Sequence, residues 1–139
     1  MAADEKIQIA WTEFPSTLST AWACRRFVID TLYRWGLLGL VADVQLVVGE
    51  LVTNAVAASA PDGTDVTVCL RAEQGSLLIE VGDQVEALPV LHRPTLQGRR
   101  GLGLPLVASM STRWGIRQEA GGKVVWSELA CRKRPESAT

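Results

Sequence analysis

The stretch Val48-Gly49-Glu50-Leu51-Val52-Thr53-Asn54-Ala55 lies inside an apolar segment that reads as a helix from about Val41 to Ser59. The turn cluster Ala60-Pro61-Asp62-Gly63 closes it. Its inward stripe runs through Leu46 or Val47, then position 50, then position 54, then Ala57 or Ala58. Two of those positions carry Glu50 and Asn54, and a spacing of four puts both on one face, a turn apart. Burying such groups without partners costs several kcal/mol, about 2–7 for the amide alone. Either both fall at the edge of the stripe and meet water, or they hold something. The amide oxygen of Asn54 is a hard donor of the kind magnesium takes, which leaves the Glu50 carboxylate for general-base work.

Upstream, Ile7 to Thr12 reads as a short strand, and Pro15-Ser16 announces a helix with Ser16 as its N-cap. Ala21, Cys24, Val28, Leu32 and Trp35 form one apolar face, and Gly36 sits where a C-terminal glycine belongs. Downstream, Asp65 to Ala72 alternates apolar and polar residues. Glu73-Gln74-Gly75 then turns the chain into Ser76 to Val81, giving a hairpin. Gly82 to Arg100 has no period, and a loop of that length in a compact domain is often a functional lid. Gly101-Leu102-Gly103 opens a short helix through Ser111. Arg113 to Glu119, a Gly121-Gly122 turn and Lys123 to Leu129 make a second hairpin, with Val125, Ser127 and Leu129 on one face. Strands joined as hairpins and about three amphipathic helices specify an α+β, two-layer sandwich: a mixed or antiparallel sheet covered on one face.

The 139 residues are 47% hydrophobic and 21% charged, enough for one domain with a real core, spanning residues 1–139 with the core at about 12–129. The basic tail, 131–139, reads as a solubilising end. Fourteen Lys and Arg against fifteen Asp and Glu give a net charge of −1, which argues against wholesale nucleic-acid binding. No apolar run approaches the ~18–20 residues of a membrane span, and Met1 to Lys6 lacks the pattern of a signal peptide. Cys24, Cys69 and Cys131 are far apart and in no metal-ligand spacing, so a cytoplasmic protein is expected. Five of the eight aromatics are Trp, read as core and rim anchors rather than a platform for bases.

Two further groups carry chemistry. Glu80-Val81-Gly82-Asp83 ends a strand where the long loop starts, and an acid beside a glycine there can reach into a pocket. Taken alone, Asp83 reads first as a plain turn residue. Gly98-Arg99-Arg100-Gly101-Leu102-Gly103-Leu104-Pro105 precedes a helix whose unpaired N–H groups can hold an anion, with Pro105 at a first-turn position. It is neither a P-loop nor a dinucleotide-binding fingerprint.

In combination and in this order, the helical Glu50-x-x-x-Asn54, the strand-end Asp83, the long loop and Gly101-x-Gly103-Leu104 resemble the Bergerat ATP-binding fold, the histidine kinase-like ATPases. The helix Ala23-Cys24-Arg25-Arg26-Phe27-Val28, the Val48–Ala55 stretch, Arg113-Trp114-Gly115 and Gly122-Lys123-Val124-Val125-Trp126 narrow the resemblance to bacterial anti-sigma-factor serine/threonine kinases, over residues 12 to 129. The resemblance implies ATP and Mg2+, with Asn54 as metal ligand, Glu50 as catalytic base and Asp83 as acceptor for the adenine amino group. It also implies that Gly101 and Gly103, with the backbone of Leu102 and Leu104, wrap the phosphates, and that Arg99 and Arg100 contact them. Implied partners are a sigma factor and an antagonist protein phosphorylated on Ser or Thr, with a homodimer to which Trp22 and Trp35 could lend apolar surface. No direct nucleic-acid or membrane contact is expected.

Three positions depart from the family pattern. Asp83-Gln84-Val85 lacks the glycine of Asp-x-Gly, Arg99 stands where a lid glycine belongs, and a Thr that helps hold the adenine-binding Asp is replaced at Val124 or Val125. These departures keep a second reading open, a non-catalytic or nucleotide-free module of the same fold that only sequesters its partner. A third, a histidine-kinase catalytic domain cut from a larger protein, lacks a phosphoacceptor helix, and His92 falls in the lid.

Overall fold

The computed structural model describes residues 6–17, 19–59, 65–84 and 103–131. Strands β1 (Gln8–Phe14), β2 (Val66–Glu73), β3 (Ser76–Asp83), β4 (Arg113–Glu119) and β5 (Gly122–Ala130) form one sheet in the order β1-β2-β3-β5-β4. Every pairing is antiparallel, which settles the open choice between a mixed and an antiparallel sheet. Helices α1 (Thr20–Arg34), α2 (Val41–Ser59) and α3 (Gly103–Met110) cover one face. Helix α2 lies between the other two and packs on β2 and β3.

Alternation decides the layers. Val66, Val68, Leu70, Leu77, Ile79, Val81, Val125 and Leu129 point toward the helices and are buried against Val28, Leu32, Val44, Val47, Leu51 and Val52. Trp126 lies on the opposite face, across the strand at Gly115: a Cβ there would come within 2.8 Å of its ring. Of the other tryptophans, Trp35 and Trp114 pack against the core, while Trp11 and Trp22 are exposed.

Local chemistry explains the element ends. Helix α1 starts at Thr20 rather than near Ser16, because the Thr20 hydroxyl donates to the Pro15 carbonyl and accepts from the Thr17 N–H at 2.9 Å. Its far end is the expected glycine stop. Gly36 has φ +72°, and the N–H groups of Gly36 and Leu37 donate to Tyr33 and Leu32, the paired pattern of a left-handed C-terminus. The β2–β3 turn has Gln74 at φ 49° and Gly75 at φ 78°, the doubly positive turn that matches hairpin twist.

The buried stripe of α2 is Val44, Val47, Val48, Leu51, Val52 and Ala55. Positions 50 and 54 therefore do not lie on it, contrary to the expected stripe, and Glu50 and Asn54 are half-buried along its edge. Valine and leucine crowd this helix so densely that the sequence period alone misplaces its inner face. The same density makes Leu38–Ala58 long and apolar enough to cross a membrane by length and composition, a run the sequence reading overlooked. In this fold it is the helix whose inner side lines the core.

Candidate functional site

The sheet register gathers the candidate residues at one end of the helical layer. Asp83 closes β3 opposite Lys123, near the start of β5, and Gly82 lies opposite Thr67 at the start of β2. The chain leaves α2 at Ser59 and enters β2 at Val66, so the C-terminal half of α2, with Asn54, runs toward that same end. Helix α3 must run away from it. After α3 the Thr112 N–H donates to the Glu128 carbonyl at 2.7 Å, and β4 begins with Arg113 opposite Glu128. Its N-terminus, Gly103 and Leu104, therefore faces the Asp83 end. There the first-turn N–H groups have no intrahelical partners. The Leu104 side chain is buried in the core and anchors that turn. Of the remaining candidates, Arg99, Arg100, Gly101 and Leu102 lie outside the described residues, as do Val85 and His92.

Glu50 and Asn54 present oxygen atoms from the edge of α2. Among the described residues neither side chain has a hydrogen-bond or ion partner, and no group of three or more His, Cys, Asp or Glu comes together there to hold a metal. That donor set fits magnesium, which keeps several waters and takes only one or two protein oxygens beside substrate phosphates.

Asp83 is different. It continues the inward parity of Leu77, Ile79 and Val81 and is 7% exposed. Its two carboxylate oxygens each lie 3.0 Å from Nζ of Lys123, whose side chain is 3% exposed. The pair sits directly across two strands whose backbones run close together: a Cβ on Gly122 would collide with the Asp83 carbonyl oxygen. Both side chains are enclosed, so neither head group reaches bulk water.

Lys123 is the site residue that sequence reasoning missed. The sequence reading noted only that a Thr holding the Asp in the family is replaced at Val124 or Val125, and passed over the neighbouring Lys123. Val125, Ser127 and Leu129 are the buried face of β5, and counting that alternation backwards points position 123 inward. A lysine at an inward position is rarely buried unless it is paired, and that signal was available.

Residues 14–128 match the family model described as the histidine kinase-like ATPase domain. Among solved structures, the chain is similar to the crystal structure of the RsbU and RsbW domains of Rv1364c from Mycobacterium tuberculosis, with a TM-score of 0.67 and 19% identity over 91% of this chain. It spans 33% of that chain, and at this identity the likeness is one of fold. No protein of curated function matches the sequence.

Proposed function

The chain belongs to the histidine kinase-like ATPase domain family, and from that membership we propose that it binds ATP between α2, the end of β3 and the start of α3. In this reading it acts as a partner-switching serine/threonine protein kinase, which binds a sigma factor and phosphorylates a small antagonist protein. What supports it is that the strand-end Asp83, the C-terminal half of α2 with Asn54 and the N-terminus of α3 lie toward one end of the sheet, with Glu50 one turn before Asn54.

Phosphoryl transfer needs positioning and charge neutralisation more than covalent help from the protein. The half-buried Glu50 carboxylate accepts the proton of the attacking Ser or Thr hydroxyl while the γ-phosphoryl passes to that oxygen and ADP leaves. The first-turn N–H groups of α3 face the phosphates, where a helix start favours negative charge. Magnesium, held through Asn54 and phosphate oxygens, would neutralise charge on the phosphates. Asp83 reads the base end.

The test is transfer of labelled phosphate from ATP to the antagonist by wild type and Glu50→Gln. Loss of about 10²–10⁴-fold with ATP binding intact is the expected result, and transfer at the wild-type rate removes Glu50 as base. One observation favours the second reading, a module that sequesters without catalysis: Asp83 already has a buried partner in Lys123. Magnesium-dependent ATP binding with no transfer to any antagonist would establish it.

A further inference from the structure

We propose that Lys123 is an internal competitor for the base end of the nucleotide site and lowers the affinity of this chain for nucleotide at least tenfold. This rests on the reading of Asp83 as the base acceptor given above.

An exocyclic amino group offers a carboxylate neutral N–H donors. Lys123 offers a full positive charge from within the same sheet, with one Nζ reaching both carboxylate oxygens at 3.0 Å. Either donor makes a charge-assisted bond to the carboxylate, but the ammonium adds the attraction of a full positive charge in a site shut off from water. A neutral base therefore cannot displace the ammonium. It can only share a carboxylate whose charge is already balanced and which has become a weaker acceptor.

Geometry keeps the competitor in place. Asp83 and Lys123 are cross-strand partners in the β3–β5 register, and Gly122 brings the two backbones together beside them. The ammonium is thus present at a high and permanent local concentration, because strand pairing has already fixed both residues. A lysine whose head reached solvent could rotate away when nucleotide arrived. A side chain that is 3% exposed inside a paired strand has no such exit.

The experiment is calorimetric titration of magnesium-ADP into wild type, Lys123→Thr, Lys123→Gln and Lys123→Arg, with magnesium-tripolyphosphate as a probe that carries no base. Lys123→Thr removes the competing ammonium and is expected to bind ADP at least tenfold more tightly than wild type. Lys123→Arg keeps a charged donor and is expected to stay near wild type, while tripolyphosphate binding stays constant across the series. Should Lys123→Thr fail to fold by far-UV dichroism, Lys123→Gln removes the charge but leaves an N–H donor for Asp83, and it too is expected to gain. Equal ADP affinity in wild type and Lys123→Thr overturns the competition while leaving the nucleotide site standing. Absence of ADP binding in every folded variant overturns the site together with the competitor. A parallel change in tripolyphosphate affinity also overturns the proposal, since the effect would then not lie at the base end.

Discussion

The two faces of the sheet handle the same chemistry in opposite ways. On the open face, Arg71 pairs with Glu73 at 2.7 Å, Arg113 with Glu128 at 2.6 Å, and Arg117 with both Glu80 at 2.9 Å and Glu119 at 2.7 Å. These arginine side chains are 44–71% exposed, in contact with water. On the helix-facing side one pair, Asp83 and Lys123, is enclosed almost completely. The wet pairs are short and well formed yet contribute little, because water screens them and long side chains lose freedom in making them. The dry pair has no solvent to fall back on, so removing one member strips a buried charge of its counter-ion. Distance alone does not distinguish them. Burial does, and the buried pair is the one at the candidate site.

Breaking the dry pair gives the largest effect. Lys123→Met takes the ammonium away from the buried Asp83 carboxylate and should cost about 3–5 kcal/mol, read from urea denaturation at neutral pH. A loss below about 1 kcal/mol would mean that water reaches the carboxylate. The stability lost by Lys123→Thr should accompany the affinity it gains, so one substitution moves the two properties in opposite directions. Next comes Gly122→Ala, whose Cβ would meet the Asp83 carbonyl oxygen and, at 2.9 Å, the Gln84 Cα. Since backbone cannot rotate aside, a loss of about 1–3 kcal/mol is expected, with nucleotide affinity changed as well.

On the wet face, Arg117→Ala removes contacts to two carboxylates and should still cost under about 1 kcal/mol. The sharper comparison is with salt. Raising ionic strength to about 1 M shortens the screening length to about 3 Å, so whatever Arg117 contributes should vanish while the cost of Lys123→Met persists. A persistent Arg117 contribution would show that its network is drier than its exposure indicates.

The last effect, absent at neutral pH, concerns the core between the two. Burial pushes the Cys24 thiol up from 9.0 to about 12. In the unfolded chain the thiol loses its proton first, so Cys24 lowers stability as pH climbs from about 9 toward 12 and contributes no such loss below 9. Cys24→Ala should flatten that part of the stability profile, and an unchanged slope would exclude the thiol as its source.

Much of the fold was legible in the sequence because alternation and turn chemistry are local. The β2–β3 and β4–β5 hairpins, the Gly36 stop and the limits of α2 follow from spacings within a few residues. What escaped depends on residues far apart. The start of α1 is set by the Thr20 hydroxyl reaching back to Pro15, which a search for N-caps at Ser16 does not reveal. The edge position of Glu50 and Asn54 depends on which of many aliphatic residues face the sheet, and a helix rich in them on several sides does not announce that face. Asp83 could be singled out at a strand end, but its partner is set by strand register forty residues later.

The most direct test of the account is a titration of magnesium-ATP into isotopically labelled wild type, followed by amide and indole nitrogen–proton spectra, which register even weak binding. The account predicts shifts at Asn54, Asp83, Leu104 and Lys123, with Arg71, Glu80 and the Trp126 indole unmoved. Shifts confined to the open face, or none at all at millimolar nucleotide, would contradict it.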